Sequence, residues 1–167
     1  MNILETKRLI LRTTNQEDLN SLYDEIFCNA EVVKLTFGNE LFDIKQTEEF
    51  IKTNCNFDGK LGLSTLIEKS SGKVIGLAGV IECDYENLEG YEFGFILGKS
   101  FWGKGYATEI GQAQIDFIKY EMKTGKIAAL VHKENIGSVK TIKKLGLTYL
   151  TTVSTQNRGV REVYSII

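Results

Sequence analysis

The sequence predicts a single α/β (α+β) domain spanning residues 1–167, in which a mixed, mostly antiparallel central sheet of about seven strands is flanked by about four helices. Three observations carry this expectation. Residues 63–97 hold three consecutive strand-like runs separated by turn residues, the pattern of an antiparallel meander. Helical periodicity stands on both sides of that block. The 167 residues are 43% hydrophobic and 25% charged, ordinary globular composition in a chain long enough to bury a core.

In chain order, Leu9 and Leu11 alternate with Arg8, Ile10 and Arg12 as a short first strand. Thr14 to Glu17 spells a capping box, and Leu19, Leu22, Tyr23, Ile26 and Phe27 follow at helical spacing. Ala30 to Phe42 reads as loop, and Asp43 to Gln46 opens a shorter helix through Phe50 and Ile51 toward Asn54. Leu63 to Glu68, a Ser70-Ser71-Gly72 turn, Val74 to Cys83, an acidic link and Tyr91 to Leu97 form the meander. After Gly105 a helix presents Ile110, Ala113, Phe117 and Ile118 on one face until Gly125. Lys126 to Val131 is apolar enough for a buried strand, and Asn135 to Leu145 is helical, ended by Gly146. Leu147 to Val153 and Val160 to Ile166 close the chain as a hairpin across Asn157-Arg158-Gly159.

Charge and cysteine usage exclude several functions. A net charge of −2 supplies no bulk positive field for nucleic acid or an anionic membrane, so neither is expected as a partner. No apolar run approaches the roughly 20 residues needed to cross a bilayer. The opening residues carry Glu5, Lys7 and Arg8 where a signal peptide would be apolar, so a cytoplasmic protein is expected. Cys28, Cys55 and Cys83 match no metal spacing and are expected to be free, mostly buried thiols. His132 is the single histidine and reads as a strand-end residue, so no metal site and no charge-relay triad is expected.

The stretch with most chemical content is Trp102-Gly103-Lys104-Gly105-Tyr106-Ala107-Thr108-Glu109, between a strand and a long helix. Its glycines permit close backbone approach, and amides at a helix start favour negative charge. A phosphate cradle and a plain tight turn are both compatible with the glycines. The turn is neither a Walker A loop nor a dinucleotide fingerprint, since Thr108 stands where the third glycine belongs.

Together with Tyr91-Glu92-Phe93-Gly94-Phe95-Ile96-Leu97, Val131-His132-Lys133-Glu134-Asn135 and Asn135-Ile136-Gly137-Ser138 leading to Lys144-Leu145-Gly146-Leu147, this stretch resembles the GCN5-related N-acetyltransferases, the GNAT superfamily. The opening Glu5-Thr6-Lys7-Arg8-Leu9-Ile10-Leu11-Arg12 resembles the branch that acetylates ribosomal-protein N-termini, the RimJ/RimL type. The resemblance implies acetyl-coenzyme A (acetyl-CoA) as cofactor. Its pyrophosphate would be held by backbone amides of Gly103, Lys104, Gly105, Tyr106 and Ala107, within a cofactor-binding set bounded by Trp102 and Thr108. The strand before the turn would splay at a bulge from a parallel neighbour, with the pantetheine arm in that cleft near Phe95, Ile96 and Leu97. Asn135 would face the pantetheine, and Ser138 would lie near the sulfur. Ile142 occupies the place of the tyrosine that protonates the leaving thiolate in many relatives, so that role is vacant or passes to Ser138. The resemblance also allows a homodimer.

The chemistry constrains the remaining candidates. An amine must lose a proton before attacking a thioester, a smaller demand for an α-amine with pKa ~7.7–8.0 than for a lysine-like amine near ~10.4. Glu92 shares a strand face with Gly94 and Ile96, which leaves open space for a base acting directly or through water. A backbone amide near Ile96 or Leu97 is the expected oxyanion donor. Glu82, Asp84, Glu86, Glu89 and Glu92 read as a solvated link or as an attractor for a cationic amine, and Glu109 as a complement to the helix dipole. The expected function is acetyl transfer to a primary amine, most like a protein or peptide N-terminal α-amine. The alternatives are a small-molecule acetyltransferase acting on a polyamine, aminoglycoside or amino acid, and a non-catalytic coenzyme A sensor.

Overall fold

The computed structural model describes every residue except Asn39, Asp84, Glu86 and Ile167. The chain opens with a hairpin of β1 (Asn2–Glu5) and β2 (Leu9–Arg12), closed where Thr6 N–H donates to Leu9 O at 2.9 Å. Only the second strand was expected, which is why the sheet has eight strands rather than about seven. The first strand is four residues long and half-exposed, too short for alternation to mark it.

Helix α1 (Leu19–Leu22) continues as a wider turn over Tyr23–Phe27, with Leu22, Ile26 and Phe27 fully buried. Its lead-in is capped one residue later than the expected Thr14 to Glu17 box. Asn15 N–H donates to Asp18 Oδ2 at 3.0 Å, while Thr14 turns inward and its hydroxyl accepts from Thr65 Oγ1 at 3.1 Å. Asp18 can reach back because Arg12 already grips its carboxylate at 2.7 and 2.8 Å. The expected loop at Ala30 to Phe42 contains α2 (Ala30–Lys34), capped by Asn29 and pinned by buried Val32 and Val33. A helix of one turn carries no periodicity to detect. The box at Asp43 and Gln46 opens α3 (Ile44–Asn54) with reciprocal bonds of 2.7 and 2.9 Å.

Strands β3 (Gly62–Glu68), β4 (Val74–Glu82) and β5 (Tyr91–Leu97) form the meander. Helix α4 (Tyr106–Tyr120) ends before Gly125, and Lys123 adopts a left-handed φ of 55° in the exit turn. Strand β6 (Ile127–Val131), α5 (Ile136–Lys144) and the hairpin of β7 (Thr148–Thr155) and β8 (Gly159–Ile166) complete the chain. The sheet runs β1-β2-β3-β4-β5-β6-β8-β7, antiparallel throughout except between β5 and β6.

Side-chain alternation along β4 sorts the two layers. Leu77 packs with Leu22, Ile26, Phe27, Val32 and Ile51 of α1, α2 and α3. Ala78 and Val80 face the opposite way, onto the layer built from Ile110, Ile115, Phe117 and Ile118 of α4 and Ile142 of α5. Cys28 is exposed, and Cys55 and Cys83 are half-buried, contrary to the expectation of mostly buried thiols. Cys28 lies on the solvent side, where α1 turns into α2. Burial pushes the Cys55 thiol up to about 12, which keeps it protonated and unreactive. Among the described residues, no helix is long and apolar enough to cross a membrane.

Candidate active site

The parallel pair opens a cleft at the centre of the sheet. β5 and β6 are in register only at Tyr91 with Ile127 and Glu92 with Ala128. Beyond that point β5 stays with β4 as far as Leu97, and β6 stays with β8 as far as Val131. Each strand follows its antiparallel partner, and the two twist apart. The β4–β5 register is unshifted from Tyr91 to Leu97, so the bulge expected at the splay is absent from that ladder. The cleft belongs to a cavity of about 1300 Å³ that Phe95, Ile96, Val131, His132, Asn135 and Ser138 line on one side. Leu97 is buried at the end of β5, and its carbonyl accepts from Trp102 Nε1 at 2.9 Å. Trp102 thereby ties the glycine turn to the strand.

In that turn Gly103 and Gly105 have φ of 74° and 80°, a left-handed conformation that L side chains rarely adopt. A Cβ at Gly103 would meet nothing within 4 Å, so conformation rather than crowding calls for glycine there. Gly105 caps α4, leaving the first amides of Tyr106, Ala107 and Thr108 at a helix start. Arg8 braces the turn from the β1–β2 hairpin. Its Nη1 donates to Lys104 O at 2.8 Å, its guanidinium lies 4.5 Å over the Tyr106 ring, and its Nε pairs with Glu109 at 2.7 Å. Glu109 also accepts from Thr6 Oγ1 at 2.6 Å and from Arg8 N–H at 2.8 Å. Burial works to raise the Glu109 carboxyl, but the bonds from Thr6 and Arg8 hold it below the usual carboxylate range. Glu109 is therefore a clamp between hairpin and helix, beyond the dipole complement expected of it. A pyrophosphate fits this turn, which combines left-handed glycines, helix-start amides and the cations Arg8 and Lys104.

Glu92 is buried on the face toward α1 and α3, beside Gly94, where a Cβ would meet nothing within 4 Å. The open space is real, but the carboxylate is engaged. Oε1 accepts from Arg158 Nη1 at 2.8 Å, and Oε2 accepts from Tyr85 OH at 2.9 Å and Arg158 Nη2 at 3.1 Å. Arg158 Nη2 also contacts the Tyr85 hydroxyl. Burial works to lower the Arg158 guanidinium, while Glu92 and Tyr85 hold it above its ordinary value. Of the acidic segment, Glu82 and Glu89 are exposed, Glu89 pairs with Lys126, and Asp84 and Glu86 lie outside the described residues. Its described acids do not form one field: Glu89 and Glu92 each have a cation of their own.

Asn135 caps α5, its Oδ1 accepting from Ser138 N–H at 3.2 Å, which leaves the half-buried Ser138 hydroxyl at the cavity wall. Ile142, one turn on, is 3% exposed and packs in the core. His132 lines the cavity with Nδ1 accepting from Glu134 N–H at 3.2 Å. Tyr85, Arg158 and Arg161 also line it. Arg158 reaches Glu92 across 66 residues of chain, and no local pattern announces such a pairing.

The chain matches the family model of an acetyltransferase (GNAT) domain over residues 8–148. It is 30% identical over 159 residues to the uncharacterized protein YkkB of Bacillus subtilis (strain 168), covering 94% of this chain and 91% of that one. It is 32% identical over 147 residues to the uncharacterized N-acetyltransferase p20 of Bacillus licheniformis, covering 87% and 82%. Its fold is similar to that of a GNAT-family acetyltransferase from Bacillus anthracis, with a TM-score of 0.80 at 23% identity over 100% and 98% of the two chains. A RimL ribosomal L7/L12 α-N-protein acetyltransferase in complex with coenzyme A superimposes with a TM-score of 0.74 at 12% identity over 100% and 98%. Spermidine N-acetyltransferase from Vibrio cholerae, in complex with coenzyme A and spermine, does so at 0.71 and 18% over 96% of each chain.

Proposed function

The chain belongs to the GNAT acetyltransferase family and is an acetyl-CoA-dependent N-acetyltransferase, and we propose that its acceptor is the α-amine of a peptide or amino acid. One observation carries this choice over a polyamine or aminoglycoside. The carboxylate among the described residues lining the cavity is Glu92, and Arg158 already neutralises it. A polycation would meet two arginines and no unpaired acid among these residues. The RimL fold neighbour acts on a protein α-amine and the spermidine enzyme on a polyamine, so the fold itself accommodates either class.

In this reading the amides from Gly103 to Ala107 hold the cofactor's pyrophosphate, with Trp102 and Thr108 flanking them. The cleft lined by Phe95, Ile96 and Asn135, with Leu97 buried beside it at the strand end, receives the pantetheine arm. When bound, the cofactor supplies an acetyl thioester as acyl donor. A carboxylate offers about four acceptor sites. Arg158 and Tyr85 occupy three on Glu92, and the remaining one on Oε1 can take the amine's proton through a water. An α-amine near ~7.7–8.0 asks no more of a base than this. Ser138 Oγ is the group that returns a proton on the thiol side.

Thiol release from acetyl-CoA, measured in parallel on α-amino peptides, amino acids, polyamines and aminoglycosides, tests the proposal. Turnover concentrated on the α-amines is the expected result. Turnover confined to polyamines or aminoglycosides would overturn it, and coenzyme A binding without turnover on any amine would leave the sensor reading.

A further inference from the structure

We propose that Arg161 is a carboxylate-binding residue of the acceptor site, so that the amine acetylated here carries a carboxylate on the same molecule. The inference deepens the α-amine reading and rests on it. Arg161 lies on β8 opposite Val153 of β7 and lines the cavity, yet the residue is only 8% exposed. Its Nη1 donates to Val160 O at 3.0 Å and its Nη2 to Thr36 O at 3.1 Å. Both partners are backbone carbonyls, which orient the guanidinium without bringing a charge to it. Two bonds leave about three of its five N–H donors for another partner.

The contrast with Arg158 is informative. Both arginines line one cavity, and Arg158 has Glu92, while Arg161 forms no ion pair among the described residues. Burial lowers the Arg161 guanidinium, and the nearby charge of Arg158 adds to that. A buried cation beside a second cation is stabilised by an anion, and the planar guanidinium fork matches a carboxylate with two parallel hydrogen bonds. The acceptor's two ends therefore meet different groups. Its amine passes a proton through a water to the one open acceptor position on Glu92, and its carboxylate end finds Arg161. A polyamine has no group to offer there.

The test compares acceptors that differ in one group. Free amino acids are set against their carboxamides, and amide-capped peptides beginning with Asp or Glu against those beginning with Asn or Gln. The first pair reports an α-carboxylate, the second a side-chain carboxylate. The parent enzyme is expected to favour the carboxylate member of at least one pair in kcat/KM by roughly 10- to 100-fold, the worth of a hydrogen bond to a charged group. The preference should lie mainly in KM. Arg161→Gln should collapse that ratio toward one, and Arg161→Lys, which keeps the charge but not the fork, should leave an intermediate ratio. Calorimetric acetyl-CoA binding serves as the check that each variant is folded. If Arg161→Gln does not fold, the parent ratio and Arg161→Lys decide. Acetylation of α-amines with equal efficiency in both members of each pair overturns the Arg161 assignment and leaves the α-amine reading standing. A preference that survives intact in folded Arg161→Gln also overturns it. Turnover of polyamines alone removes both.

Discussion

Glu92 is held by Arg158 and Tyr85 while facing the open space beside Gly94, and a proton-accepting role and an anchoring role leave different marks on its variants. As a base, Glu92→Gln lowers turnover by up to ~10²- to 10⁴-fold while acetyl-CoA affinity holds, and the loss shrinks as pH approaches the amine's own pKa. As an anchor of the β7–β8 turn alone, Glu92→Gln removes the charge that holds the half-buried Arg158 guanidinium and lowers the unfolding midpoint, with turnover per folded molecule and its pH profile preserved. Pre-steady-state turnover across pH, with denaturant melts on the same preparation, separates the two. Ser138 is resolved in the same way. Its N–H already completes the Asn135 cap, so Ser138→Ala keeps the helix start and removes only the hydroxyl. Reduced turnover at constant cofactor affinity is expected, and a stable Ser138→Ala enzyme with full turnover assigns thiolate protonation to solvent.

The glycine turn depends on an element distant in sequence. Arg8 and Thr6 of the β1–β2 turn grip Glu109 in the first turn of α4, and Arg8 also reaches Lys104 O. Glu109→Gln removes the charge that holds Arg8, so acetyl-CoA affinity should fall by roughly tenfold with a smaller change in turnover of the saturated enzyme, read by calorimetry and saturation kinetics. Gly105→Val should do more, because it forces a β-branched residue into a left-handed φ of 80° at the helix cap. Lys104→Ala should do less, since that residue contributes its backbone to the turn. Unchanged affinity in a folded Gly105→Val protein would remove the turn from cofactor binding.

Stability of the whole molecule against acid should centre on Asp18, which joins three parts of the fold. Burial works to raise its carboxyl, but Arg12 of β2, the Asn15 N–H before α1 and Thr65 of β3 hold it below the usual range. A folded value below the unfolded one, near ~3.9, makes this contribution complete above that pH and lost as pH falls through the folded value. Asp18→Asn should destabilise the protein by about 3 kcal/mol at neutral pH. Urea melts of parent and variant should begin to draw together as pH falls below ~3.9 and converge below the folded value, and a pH-independent difference would contradict the linkage.

Periodicity and capping alone determined most of the elements: the meander, the long helix after Gly105, the Asp43 box and the closing hairpin depend on contacts within a few residues, which the chain carries locally. The glycine turn was legible for the same reason, since a left-handed backbone position selects glycine wherever it occurs. Short elements escaped, because four residues of β1 and five of α2 contain too few positions to show a period. Only the tertiary structure decided the electrostatics of the site. Glu92 was visible as a carboxylate beside a glycine, but its state depends on Arg158, brought to it by a hairpin 66 residues away. The Arg8–Glu109 clamp is of the same kind, as is Arg161, which forms no ion pair among the described residues. Secondary structure is selected by neighbours along the chain, whereas a buried charge is governed by whatever the fold packs against it, and that partner leaves no trace at the residue's own position in the sequence.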